Sequence, residues 1–117
     1  MTDKKAKKAV NQFLVAWQAQ EWVKMLKSTQ LTWRSIHKDP MGWLKSWFGL
    51  RTLKSFKIIG TEAVGDACID VFVNLDYERQ SKRIQARVIG ERAAYEASVK
   101  GKWGVNPVSC LKEKGIE

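Results

Sequence analysis

Side chains that hold metals or carry redox chemistry are scarce in this chain. It has one histidine, His37, and two cysteines, Cys68 and Cys110. The cysteines stand far apart in no ligand-like spacing, and a lone imidazole does not complete a tetrahedral zinc set. No metal is therefore expected, and no cofactor. Both thiols read as buried or half-buried hydrophobes. A disulfide between them is open only to a chain that folds in an oxidising compartment. Long apolar runs are missing as well. The longest, Phe13–Trp17, falls far short of the roughly 20 residues of a membrane span. Met1 leads into Thr-Asp-Lys-Lys rather than an apolar stretch, so no signal peptide is read. The expectation is a soluble chain without a transmembrane segment, cytoplasmic or trimmed from a membrane-anchored extracytoplasmic precursor.

Acidic residues are the next shortage. Only 12 Asp and Glu face 21 Lys and Arg, giving a net charge of +9 and an isoelectric point near 9.8. Such a balance suits an anionic partner. The cations, however, run from Lys4 to Lys114, and only Lys4, Lys5, Lys7 and Lys8 cluster, at a terminus. Nucleic acid binding is not expected; a basic, solvated surface is. Apolar bulk is what the chain has in quantity: 44% of its 117 residues are hydrophobic and six are tryptophan. A chain of this size buries about two-thirds of its unfolded surface. That is enough for one domain spanning residues 1–117.

From Lys4 to about Thr29 the apolar period is helical. Val10, Phe13, Leu14 and Trp17 share one face, and Trp22, Met25 and Leu26 form a second. The axis is expected to turn between Gln18 and Glu21. Residues 30–38 read as a connection. The stretch DPMGWLKSWFG then carries helix punctuation: Asp39 as cap, Pro40 at the first position, and Gly49 as a left-handed stop. After Arg51 the period changes to two. Phe56 and Ile58 precede a turn near Gly60. Ala67, Ile69, Val71, Val73, Leu75 and Tyr77 then alternate with a mostly polar set, the pattern of a half-buried antiparallel strand. After the polar turn ERQSK, a third strand is expected from about Arg83 to Val99, with a bulge or bend at Gly90.

The segment VKGKWGVNP (residues 99–107) has the glycine content of a phosphate-cradling loop, but Val105, Pro107 and Val108 follow it instead of a helix. It reads as a hairpin with its turn at Gly101, and Pro107 ends the last strand. Trp103 and Val105 then point inward together.

Helices followed by long antiparallel strands make an α+β order. With its AVNQFLVAWQAQEWVKML helix, its interposed PMGWLKSWFG helix and its closing GKWGVNP, the chain resembles the nuclear transport factor 2-like superfamily. That resemblance implies N-terminal helices packed in a strongly curved antiparallel β-sheet, the cystatin-like cone. It also implies a pocket at the cone's mouth and a homodimer through the outer sheet face, where Phe72 and Asn74 are the interface candidates. It does not imply an activity, since binding modules, isomerases and dehydratases share the fold.

Catalytic residues are not found. The inward face of the best strand has no carboxylate, and Asp70 and Asp76 fall on the opposite face. His37 lies in the connection, and Arg87 and Glu91 read as a surface pair. No acid–base pair can be assigned. The aromatic residues point instead to a pocket for an apolar small molecule or peptide, with Trp17, Trp33, Trp47, Tyr77 and Tyr95 as its candidate walls. The function expected is a non-catalytic binding or assembly module. The alternative is a small-molecule isomerase or dehydratase using Tyr77 or Tyr95 as proton donor.

Overall fold

The computed structural model describes residues 2–112. Its elements run α1 (Thr2–Ala19), α2 (Trp22–Lys27), α3 (Leu31–Ile36), α4 (Pro40–Phe48), β1 (Ser55–Gly65), β2 (Cys68–Asp76), β3 (Ser81–Ala93), β4 (Glu96–Ala97) and β5 (Lys102–Val105). A short 3₁₀ helix, Pro107–Leu111, follows. The helices precede a curved antiparallel sheet of five strands, an α+β arrangement. Among the described residues no helix is long and apolar enough to cross a membrane.

Helix α1 buries Val10, Phe13, Leu14 and Trp17, the stripe that the spacing predicts, and Ala6, Ala9 and Ala16 with them. It ends inside the expected window, at Gln20, whose φ of 55° is left-handed. The amides of Gln20 and Glu21 donate to the carbonyls of Trp17 (3.0 Å) and Ala16 (2.9 Å). These two bonds satisfy carbonyls that a helix end otherwise leaves bare. The chain then folds back into α2.

The stretch 30–38 is not simply a connection, because Leu31–Ile36 forms α3. Six residues cannot hold a helix in water by themselves, and Gln30 caps with no side chain of its own. The missing cap comes from far along the chain. The Glu91 carboxylate accepts from the Thr32 amide at 3.0 Å and from the Thr32 hydroxyl. In α4 the punctuation holds at the start: Asp39 accepts from the Gly42 amide at 3.0 Å, and Pro40 opens the helix. It fails at the end, where Gly49 keeps a right-handed φ of −76°.

Gly60 makes no turn. Strand β1 runs through it as one 11-residue strand, with register shifts between Ile58 and Gly60 and between Ala63 and Gly65. The reversal comes at Asp66–Ala67. Strands β2 and β3 pair without a break from Cys68↔Ile89 to Asp76↔Ser81. Ile69, Val71, Val73 and Leu75 of β2 and Ile84, Ala86 and Val88 of β3 are buried against α1.

The third strand stops at Ala93, short of Val99. The chain reverses at Ala94–Tyr95, where Tyr95 takes a φ of 65°, and β4 returns along β3 with Ala93 opposite Glu96. Residues 98–101 leave the ladder, and β5 rejoins the same side of β3 from Glu91↔Lys102 to Val88↔Val105. Gly101 therefore sits in a bulged excursion of a returning strand, not at a hairpin tip. Its lack of a side chain is needed for close approach: a Cβ there would stand 2.3 Å from the carbonyl carbon and oxygen of Glu91.

Two further segments finish the edges. Val105 exchanges backbone hydrogen bonds with Ser28 and Gln30, donating at 2.8 Å and accepting at 2.9 Å. The Arg87 amide, beyond the end of β5, donates to the Ser109 hydroxyl at 2.8 Å. Among the described residues β1 pairs along one side, with β2, and its two register shifts interrupt its other edge as a template for a further strand.

Candidate functional site

The end of α1, the end of α4, the start of β3 and the 3₁₀ helix meet around a recess of about 220 Å³. Its walls include Trp17, Trp47, Leu50, Tyr77, Ile84 and Leu111, and the cations Arg51 and Lys82 also line it. Trp17 is set at the base by the α1 periodicity and locked there by its indole. Nε1 donates to the Phe48 carbonyl at 2.8 Å and to the Arg51 carbonyl at 3.2 Å. The ring meets Phe48 edge-on at 4.9 Å and tilts toward Tyr77 at 6.0 Å. Buried indole N–H groups need such partners, and here they tie the loop after α4 to α1.

The opposite wall is less buried. Trp47 is 51% exposed and Leu50 74%. The Arg51 guanidinium lies 5.0 Å from the centre of the Tyr77 ring, a cation–π contact. Cys110 forms part of the floor, and burial pushes its thiol up to about 12. At neutral pH it is a packed, protonated thiol and a poor nucleophile.

Three of the five expected wall residues, Trp17, Trp47 and Tyr77, thus share one recess. Trp33 does not line it. It is 4% exposed and stacks between α3 and α4, with His37 at 4.6 Å and Trp43 at 5.1 Å. Trp43 in turn reaches Trp47 at 6.0 Å, so Trp33 stands behind the recess wall. Tyr95 is remote from it, 73% exposed at the β3–β4 turn. The strand expected to carry Tyr95 as far as Val99 ends at Ala93. Leu50, Arg51, Lys82, Cys110 and Leu111 were not read as wall residues. They sit in loops, a strand end and a 3₁₀ turn, where no period of two or 3.6 marks a face.

A second recess, of about 250 Å³, opens beside β3 and is lined by Asp70, Gln85, Arg87, Asn106, Val108, Ser109 and Lys112. Asp70 lies on the outer face as expected, yet it is only 2% exposed. Its two oxygens accept from Arg87 Nε at 2.9 Å and Nη2 at 3.0 Å, and from Gln85 Nε2 at 2.6 Å. The hydrogen bonds that Arg87 donates to Asp70 raise its pKa further. The expected Arg87–Glu91 surface pair is therefore not formed. Arg87 stands directly opposite Asp70 in the β2–β3 register, and Glu91 is buried against α3. Phe72 and Asn74 are half-buried on the outer sheet face, where Asn74 accepts from Arg83 Nε at 3.2 Å.

Among the described residues no group of His, Cys, Asp and Glu is arranged to hold a metal. The described walls of the aromatic recess contribute neither imidazole nor carboxylate. Comparisons with family models, curated proteins and solved structures return no match to this chain.

Proposed function

We propose that this chain is a non-catalytic binding or assembly module of the nuclear transport factor 2-like type, whose aromatic recess receives an apolar small molecule or peptide side chain. One observation carries the reading. Trp17 of α1, Trp47 of α4 and Tyr77, just past the end of β2, converge on a single recess with Leu50 and Leu111 beside them. Concave apolar surface with a few polar groups is the usual form of a ligand site, and Trp47 and Leu50 expose large side chains without a described cover. The isomerase or dehydratase alternative has Tyr77 in its favour but no acid–base partner for it on the described walls.

A neutral fluorescent probe, N-phenyl-naphthylamine, tests the reading. It should bind saturably at one site per chain, and Trp47→Ala should weaken it at least several-fold while leaving the circular dichroism spectrum unchanged. Absence of saturable binding, or equal binding by Trp47→Ala, would discard the recess as a ligand site. The homodimer belongs to the same proposal, with Phe72 and Asn74 at its centre. Sedimentation at micromolar concentration should show a dimer that Phe72→Asp dissociates; a monomeric parent protein would end that part.

A further inference from the structure

We infer that the ligand of the aromatic recess is a small amphiphilic carboxylate, with its apolar body against Trp17, Trp47 and Leu111 and its head group paired to Arg51. The inference rests on the recess being a binding site and adds the charge of the ligand. Its ground is the placement of one cation. Arg51 forms no ion pair among the described residues, and its guanidinium stands at the recess over the Tyr77 ring. Its backbone is held as well, because the Arg51 carbonyl accepts from the Trp17 indole at 3.2 Å. A guanidinium presents a planar fork of donors that fits a carboxylate, and the ring beneath it leaves the edge of that fork available. Fixing the group in advance reduces the ordering cost of binding.

The surroundings agree in sign. Lys82 lines the same recess, no described wall residue is acidic, and the whole chain carries a net charge of +9. An anion is drawn toward such a surface, whereas a cationic amphiphile is repelled. Size narrows the class further. A volume of about 220 Å³ lies below the roughly 300–1,000 Å³ of sites for drug-sized ligands. A single short alkyl chain, or a fused ring pair with one further ring, fits; a sterol or a two-chain lipid does not.

Octanoate and 1-octanol separate the head group from the chain. Both should quench or shift tryptophan emission and move the Trp47 indole resonance in proton–nitrogen NMR spectra. Arg51 is exposed, and exposed ion pairs contribute little, at most about a factor of five. Octanoate should therefore bind about fivefold more tightly than octanol at low salt, and the preference should shrink toward unity as salt is raised. Arg51→Gln should abolish the preference while octanol binding is retained. Equal affinities for the two compounds, or a preference that survives in Arg51→Gln, would overturn the carboxylate assignment and leave the recess standing. Failure of both compounds and of N-phenyl-naphthylamine would remove the recess itself.

Discussion

Glu91 shows how much of this fold hangs on one side chain. It is 4% exposed, and its carboxylate collects the Thr32 amide, the Thr32 hydroxyl and Gln30 Nε2, the last at 3.3 Å. The Thr32 hydroxyl oxygen also accepts from the Tyr95 amide at 2.7 Å. One acid thus joins the start of α3 to β3 and to the β3–β4 turn. Losing a helix cap costs about 0.5–2 kcal/mol, and stranding buried donors about 1–3 kcal/mol. Glu91→Ala should therefore lose roughly 2–3 kcal/mol in urea denaturation, and Glu91→Gln, which keeps one acceptor, about half that. A loss under about 0.5 kcal/mol in Glu91→Ala would show that the cap is not needed. The strand pattern made Arg87 and Glu91 neighbours on one face. Only the cross-strand register reveals that Arg87 belongs to Asp70, and register is not encoded in a single strand.

Cys110 gives a pH signature at the same scale. Its thiol is raised from the ordinary 9.0 to about 12 by burial. A raised folded-state pKa means that the folded chain keeps a proton that the unfolded chain releases. The stabilisation is complete below about 9 and is lost between about 9 and 12. One proton limits the slope to about 1.4 kcal/mol per pH unit. Unfolding free energies measured between pH 8.5 and 10.5 (range set by the ordinary thiol pKa) should fall more steeply in the parent protein than in Cys110→Ala. Parallel slopes would place the thiol in contact with water.

At the scale of elements, long periodic stretches were legible and short ones were not. The α1 stripe, the α4 start and the β2 alternation each repeat an apolar choice several times, so no single exception hides them. Helix α3 has six residues and borrows its cap from residue 91, 59 positions beyond Thr32; no local signal could announce it. The VKGKWGVNP segment misleads for a related reason. Its glycine pattern suits a hairpin, but the actual reversal at Ala94–Tyr95 uses a left-handed tyrosine, which turn statistics disfavour. What Gly101 supplies is closeness to β3. A methyl group there would meet backbone atoms of Glu91 and Arg92 at 2.3–2.7 Å, which cannot swing aside as a side chain can. At Gly60 nothing lies within 4 Å. Gly101→Ala should cost about 1–3 kcal/mol, the usual range for forced overpacking, and Gly60→Ala should stay within about 0.5 kcal/mol of the parent. Equal denaturation midpoints for the two variants would contradict the described approach of residues 98–101 to β3.

For the whole molecule, the switch from a helical period to a period of two after Arg51 was enough to give the α+β order. Curvature was expected from the family resemblance and not from the residue pattern, because it depends on where β1 breaks register and where β4 yields to β5, and neither leaves a composition signal. The integration of the molecule is clearest at β5. This four-residue strand pairs with β3, packs on α1 and is bridged by Ser28–Gln30, so helices and sheet are joined through it. Trp103 anchors it. Its side chain is 8% exposed, and its indole N–H donates to the Val99 carbonyl at 3.1 Å. Its ring lies so close over Gly90 that a Cβ there would stand 2.9 Å from the indole. Trimming a buried tryptophan to alanine costs about 3–5 kcal/mol, and a domain of this kind holds roughly 5–15 kcal/mol in all. Because helices and sheet share β5, the loss should appear in one cooperative transition rather than as local fraying. Trp103→Ala should accordingly lower the urea midpoint by about a fifth or more of its parent value, if it expresses in soluble form at all, with far-ultraviolet circular dichroism and the remaining tryptophan emission changing together. A loss below about 1 kcal/mol, the range of surface substitutions, would take Trp103 out of the core. A transition split between the two signals would show that β5 does not join the helices to the sheet.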